Sequence, residues 1–176
     1  MPESVIEACQ KYVGMETGFE LAFDPVERGA VRRFAQAVMN EDPVFWADTE
    51  NNRKYGGPVA PPLYPAHIFR RHPGTDDPLA QAVANPDFDG LSLNALQGLP
   101  AIEPLKDYTL LNGGIEVEFF RYVRHGESVK SKSRYVSITE KATSKGPLII
   151  VVLEAEYRTG DDELLLKIRR SQLRRR

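Results

Sequence analysis

Proton-transfer chemistry has few starting points in this chain of 176 residues, which holds three histidines (His67, His72 and His125) and one cysteine, Cys9. An imidazole exchanges protons near neutral pH, so a histidine held beside a carboxylate is a common general acid–base unit. Glu41 and Asp42 stand together ahead of Pro43 and could supply the carboxylate, although acidic residues beside a proline also form turns and cap helices. His67 could approach a bound ligand from an early position in a helix, with a structural histidine as the ordinary alternative. His125 precedes Gly126 in a turn and is expected to be exposed. Arg70 and Arg71, followed by His72, could hold phosphate oxygens through their guanidinium groups, or simply close a helix end. Asn112-Gly113-Gly114 could bring backbone amides close to a carbonyl oxygen, or form a β-bulge. No set of His, Cys, Asp and Glu has zinc spacing, and neither glycine pair forms a P-loop or dinucleotide fingerprint, so no metal or nucleotide cofactor is expected.

The elements that must position these residues change character near Asp107, from helical and proline-marked segments to strands. A helix is expected over 24–39, with Asp24 and Glu27 as a capping box, Pro25 in the first helical position, and Val26, Ala30, Phe34, Ala37 and Val38 as its apolar stripe. A loop follows and ends in Gly56-Gly57 and three prolines, where glycine permits positive φ and each proline holds its predecessor extended. Pro65 opens a second helix carrying Ala66, Ile68 and Phe69, which runs into Arg70, Arg71 and His72 before Pro73-Gly74. Residues 76–107 read mostly as loop with one short helix.

Four strands are expected over 111–122, 128–139, 147–158 and 163–173, joined by short turns at His125-Gly126, Lys145-Gly146 and Gly160-Asp161. Such turns imply an antiparallel meander. Ile115, Val117 and Phe119 alternate with Glu116 and Glu118, giving one buried and one wet face, while the apolar run 148–153 predicts a central strand covered on both faces. Lys130, Lys132 and Arg134 put three positive charges on one face, either solvated or set to meet an acidic partner such as a carrier protein. Arg174-Arg175-Arg176 reads as a solvated tail. Helices covering an antiparallel sheet make an α+β chain, with 1–176 as a single domain.

Composition narrows the class. Charged residues make up 27% and hydrophobic ones 41%, as in a folded globular chain. A net charge of −2 offers no global basic field, and no nucleic-acid partner is expected. One cysteine excludes an internal disulfide framework and suits a reducing compartment. The first residues lack the apolar core of a signal peptide and no stretch approaches the ~20 apolar residues of a membrane span, so a cytoplasmic chain with no membrane contact is expected.

Phe34-Ala35-Gln36-Ala37-Val38-Met39-Asn40-Glu41-Asp42-Pro43-Val44-Phe45, followed by Tyr55-Gly56-Gly57-Pro58-Val59-Ala60-Pro61-Pro62, resembles the N-terminal, fatty-acid-synthase-type domain of MaoC-like dehydratases and (R)-specific enoyl-CoA hydratases. In that family a Phe-Ala-x-Ala helix leads into a Gly-Asp-x-Asn-Pro-x-His loop, and an Ala-Pro-Pro segment introduces a central helix. Leu111-Asn112-Gly113-Gly114 and the following strands resemble the family's sheet. The resemblance implies a hot-dog fold, an antiparallel sheet wrapped around a central helix, and a thioester substrate carried on coenzyme A or an acyl carrier protein. It implies no resident cofactor.

The same resemblance implies an aspartate and a histidine, five positions apart, that handle water and its protons. Here those positions hold Asn40 and Phe45, neither of which can act as a general base. The standard dyad is absent, leaving Glu41, Asp42 and His67 as fallback catalytic groups. Hot-dog chains of this family work in pairs, and one partner often lacks the dyad while shaping the acyl pocket. On that basis Phe45, Trp46, Tyr64, His67, Asn112, Gly113 and Gly114 are the substrate-binding candidates, and Arg70 and Arg71 those for coenzyme A phosphates. Phe45 and Trp46 fit equally as ordinary core aromatics. The expected function is an acyl-thioester-binding subunit, homodimeric or heterodimeric with a catalytic MaoC-like chain. The alternatives are a stand-alone hydratase or thioesterase with relocated catalytic groups, and a non-catalytic acyl-CoA-binding regulatory module.

Overall fold

The computed structural model describes residues 4–69, 74–75, 84–85 and 98–176. Its elements run α1 (Val5–Gln10), β1 (Glu20–Leu21), α2 (Arg28–Ala37), α3 (Tyr64–His67), β2 (Thr109–Phe119), β3 (Val129–Thr143), β4 (Gly146–Thr159) and β5 (Leu164–Arg175). Short 3-10 turns at Pro43–Phe45, Glu50–Tyr55 and Glu103–Leu105 shape the connections. The expected α+β class stands: one antiparallel sheet in the order β1-β3-β4-β5-β2, with helices packed on it.

Each of the four expected strands is present, and β3, β4 and β5 are joined in sequence by hairpins. The simple meander is corrected, because β2 pairs with β5 and not with β3. β4 is central as expected, but only alternate side chains, Ile149, Val151 and Leu153, are fully buried; Leu148, Ile150 and Val152 are half-buried. One face of the sheet therefore meets the core and the other is only partly shielded.

The predicted start of the 24–39 helix is also corrected. Helix α2 begins at Arg28 behind Glu27, which makes no side-chain cap bond. Tertiary pairing prevents an earlier start: Val26 donates its N–H to Glu127 (2.9 Å) and accepts from Gly126 (2.8 Å), fixing 24–26 against the β2–β3 turn. Its buried side is Val31 and Ala35, with Ala30 and Phe34 half-buried, while Ala37 and Val38 of the expected stripe are exposed. Helix α1, which sequence reading left out, carries a capping box of Ser4 and Glu7 and buries Cys9.

Two apolar clusters hold the layers together. One joins α2 and α3 to the sheet through Val31, Val44, Phe45, Tyr64, Ile68, Ala155 and Ile168. The other seats Cys9, Tyr12, Leu105 and Tyr135 against Ile149 and Val151. Sequence reading extends the helix opened at Pro65 to His72; Arg70, Arg71, His72 and Pro73 lie outside the described residues, as does most of the predicted loop over 76–107.

The charged face expected to be solvated or free for a partner is internally paired. Lys130 meets Asp162 at 2.8 Å, Lys132 meets Glu16 at 3.6 Å, and Arg134 meets Glu154 at 2.7 Å. Arg169 approaches Glu154 from the other side at 2.7 Å. Burial raises the pKa of the Glu154 carboxyl, but the bonds from Arg169 and Arg134 outweigh it, so its pKa falls below the ordinary value. The expected solvated tail is corrected as well, since Arg174 and Arg175 belong to β5 and both are half-buried.

Candidate functional site

The loop after α2 is built from side-chain bonds that its polar sequence makes possible. The Oδ1 of Asn40 accepts from the Asp42 N–H at 3.0 Å, and Asp42 in turn caps the next 3-10 turn by accepting from Val44 N–H at 3.0 Å. Asn52, 2% exposed, is the anchor that sequence reading missed. Its amide donates to the carbonyls of Val44 (2.8 Å) and Ala47 (3.1 Å), and its Oδ1 accepts from Thr49 N–H (2.9 Å) and from the Thr49 hydroxyl. Nothing in the local pattern marks it, because its partners lie up to eight residues away. Asn52→Ala removes the bonds to the Ala47 carbonyl and from Thr49, and leaves the Val44 carbonyl with only the Val59 N–H at 3.5 Å, so it is expected to cost about 2–4 kcal/mol. Urea unfolding followed by the fluorescence of Trp46, the only tryptophan, checks this.

This loop places Phe45 and Trp46 differently. Phe45 is 6% exposed in the core, with its ring 6.1 Å from that of Tyr122. Trp46 is half-buried and borders a cleft of about 560 Å³ with Arg32, Gln36, Met39, Asn40 and Glu41. On another side of α2, a cleft of about 700 Å³ is lined by Tyr64 and His67 together with Asp24, Glu27, Arg33 and Phe34. His67 is exposed and its ring lies 4.9 Å from Phe34. The candidates thus divide: Asn40, Glu41 and Trp46 share one cleft, Tyr64 and His67 share another, and Phe45 lines neither. Asp24 and Glu27, which line the His67 cleft, read in the sequence only as a capping box because their spacing matches one.

Asn112, Gly113 and Gly114 lie on β2, where the register with β5 shifts between Asn112 and Gly114. They form a β-bulge closed by Gly114 N–H donating to Asn112 Oδ1 at 3.1 Å. A Cβ on Gly113 would stand 2.9 Å from the Ser171 carbonyl oxygen, so close strand packing demands glycine there. Among the described residues no group of three or more His, Cys, Asp and Glu could hold a metal ion.

His125 is half-buried and not exposed as expected. Its Nε2–H donates to the Phe45 carbonyl at 3.1 Å and its backbone N–H donates to Pro58 O at 3.1 Å, tying the β2–β3 turn to the loop. The long sequence separation hides this contact from local reading. Burial lowers its pKa below 6.5 and outweighs the opposing bonds to the backbone of Phe45 and Val59. The unfolded chain then binds the proton more readily, so this contribution to stability is complete above pH 6.5 and is lost as pH falls through the folded value. Melting temperatures measured across that range are expected to fall on acidification, and to fall less in His125→Gln.

With this geometry in place, similarity to known proteins becomes informative. Residues 11–167 match the FAS1-like dehydratase domain region. Comparison with curated protein sequences gives no match. Among solved structures, the ChsH1–ChsH2 complex from Mycobacterium tuberculosis contains a chain that superposes with a TM-score of 0.72 at 20% identity, over 97% of this chain and 90% of that one. The HadBC (3R-hydroxyacyl-ACP dehydratase) complex of the same organism gives 0.58 at 17%, over 94% and 98%. The (R)-hydratase PhaJ1 from Pseudomonas aeruginosa gives 0.55 at 13%, over 93% and 81%. At these identities the structural likeness carries the fold, while the sequence match carries the family. This chain therefore belongs to the FAS1-like dehydratase family and has the hot-dog fold that the MaoC-like dehydratase and (R)-hydratase structures share.

Proposed function

We propose that this chain is the acyl-thioester-binding, non-catalytic subunit of a MaoC-like hydratase or dehydratase, and that it pairs with a catalytic hot-dog chain that supplies the aspartate and histidine. The carrying observation is the state of the two dyad positions. Asn40 is a neutral amide committed to an Asp42 N–H, and Phe45 is a phenyl ring buried in the core. Neither can activate water or return a proton. That two of the similar structures are two-component complexes, ChsH1–ChsH2 and HadBC, supports a partnered role.

In this reading the single domain acts in the cytoplasm and has no resident cofactor, since the substrate arrives on coenzyme A or an acyl carrier protein. The candidate contacts to the acyl thioester are Trp46, with Phe45 in the core beneath its loop, on one cleft and Tyr64 and His67 on the other, together with the Asn112–Gly114 bulge; Arg70 and Arg71 are the candidates for the carrier's phosphates. Among the described residues no helix is long and apolar enough to cross a membrane. The test is hydration of a panel of enoyl-CoA thioesters by the chain alone and mixed with a MaoC-like chain encoded beside it. Activity confined to the mixture is the expected result, and robust turnover by the chain alone would sink the reading.

One observation favours a second reading, a stand-alone hydratase or thioesterase. The cleft of about 700 Å³ gathers His67, Asp24, Glu27 and Arg33, an imidazole near carboxylates. If the isolated chain turns over a thioester and His67→Ala abolishes it, this reading takes precedence.

A further inference from the structure

The core-facing side of β5 changes character halfway along the strand. Leu166 and Ile168 are buried and apolar there, and the next three side chains on the same face are Arg170, Gln172 and Arg174. Their register partners on β4 stay apolar: Leu153 stands opposite Arg170, Val151 opposite Gln172 and Ile149 opposite Arg174. On β2 the same three meet Ile115, Asn112 and Leu110. Two guanidinium groups therefore lie on the inner face with no acid at a neighbouring register position.

They are not balanced from elsewhere. Arg170 and Arg174 are half-buried, the Nε of each is buried without a hydrogen-bond partner, and neither forms a salt bridge among the described residues. Arg121 and Arg175 also hold an unpartnered Nε, but Arg121 meets Glu127 and Glu163, and Arg175 lies on the opposite face with a bond to Thr143. Burial lowers the Arg174 pKa, and only the Tyr135 hydroxyl opposes that shift. A guanidinium does not deprotonate in a protein, so both charges persist and their unbalanced burial costs the fold stability.

The amides between them add donors. Gln172 Oε1 accepts from Arg174 Nη2 at 3.3 Å, and Asn112 Oδ1 accepts from Gly114 N–H at 3.1 Å. With both oxygens engaged, the amide NH2 groups are what this pair presents. A strand rises about 3.3 Å per residue, which sets the Arg170 and Arg174 backbones about 13 Å apart with Gln172 midway. The Arg174 guanidinium reaches back towards that middle. This end of the face is open through Asn112 and Ile115, both exposed. Ile115, Val117 and Phe119 are 57%, 44% and 41% exposed, which corrects the expectation that these three residues form a buried face.

We propose that Arg170, Gln172, Arg174 and Asn112 form a binding site for a phosphate ester, with the guanidinium groups on the phosphate oxygens and the amides donating between them. Guanidinium matches phosphate in charge and in paired N–H geometry. A carboxylate offers two oxygens and a single charge, fewer than the donors gathered on this face, whereas a phosphate or diphosphate can accept from all of them. For the source of the phosphate the assignment rests on the acyl-thioester reading above: coenzyme A and the phosphopantetheine of a carrier protein both bring the group. It adds β5 to Arg70 and Arg71 as a place where that group is held.

Calorimetric binding and melting temperatures of the full chain provide the test, with inorganic pyrophosphate, coenzyme A, phosphopantetheine and unphosphorylated pantetheine as probes at constant ionic strength. Pyrophosphate and coenzyme A are expected to raise the melting temperature, and coenzyme A to bind about tenfold more tightly than pantetheine. Phosphopantetheine as tight as coenzyme A would assign the site to the pantetheine phosphate, and a tighter coenzyme A to the nucleotide end. Arg170→Gln/Arg174→Gln is expected to lose the tenfold difference, yet to be at least as stable as the wild type without ligand, because unbalanced buried charge is removed. Arginines that merely support the fold would give the opposite, so a less stable or unfolded variant would overturn the proposal. So would a wild type indifferent to pyrophosphate and coenzyme A, or a variant that binds them equally well. No phosphate response while a catalytic chain still activates hydration would remove this site alone. Hydration by the isolated chain, with the phosphate response intact, would instead remove the subunit role and keep the site.

Discussion

Mixing the chain with a catalytic MaoC-like partner is expected to raise enoyl-CoA hydration by about 10²–10⁴-fold over the chain alone, the range that general acid–base assistance supplies. Hydration forms a bond from water oxygen to the β-carbon, moves one water proton to a base and delivers a proton to the α-carbon. Both transfers need a group that titrates and that sits within hydrogen-bond reach. Around the cleft next to Asn40 the chain offers little of this. The Asn40 oxygen is occupied by Asp42 N–H, and Asp42 itself holds the Val44 N–H as a helix cap. Glu41 borders that cleft without a histidine beside it. His125 is turned away from that cleft, with its Nε2–H committed to the Phe45 carbonyl. Loss of the conjugated enoyl absorbance measures the rate directly. A mixture no faster than the isolated chain would show that the partner gains nothing from it.

The sheet was legible because its signals are local. Turn residues at His125-Gly126, Lys145-Gly146 and Gly160-Asp161 separate the four long strands, which lie within a few residues of their expected bounds. What local signals could not carry was neighbourhood. Nothing in 111–122 says that its partner is β5, reached only after two further strands, and that choice decides whether Ile115, Val117 and Phe119 meet the core or an open edge. The helix start failed for a related reason: Asp24, Pro25 and Glu27 satisfy every local rule for a cap, yet Val26 is taken by the β2–β3 turn. Asn52 and His125 show the same limit at the candidate site. Each fixes the loop around Phe45 through contacts set by the tertiary fold.

Restoring the dyad is expected to fail, and the failure separates fold from chemistry. In Asn40→Asp/Phe45→His, the first change is mild, because a carboxylate can accept the Asp42 N–H where the amide oxygen does now. The second is severe. Phe45 is 6% exposed and packs in the cluster that joins α2 and α3 to the sheet, with Tyr122 beside its ring. An imidazole there is smaller, brings two polar nitrogens into an apolar site, and must stay neutral or be charged without water. Lost packing and unpaired polarity together should cost about 3–5 kcal/mol. The double variant is therefore expected to unfold at much lower urea concentration and to hydrate no enoyl-CoA above the wild-type background. Position 45 faces the core and not the cleft that Asn40 lines, so residue identity alone cannot assemble the pair. Unchanged stability with clear hydration activity would mean instead that the side chain at 45 reaches the Asn40 cleft, and the assignment of Phe45 to the core would have to be abandoned.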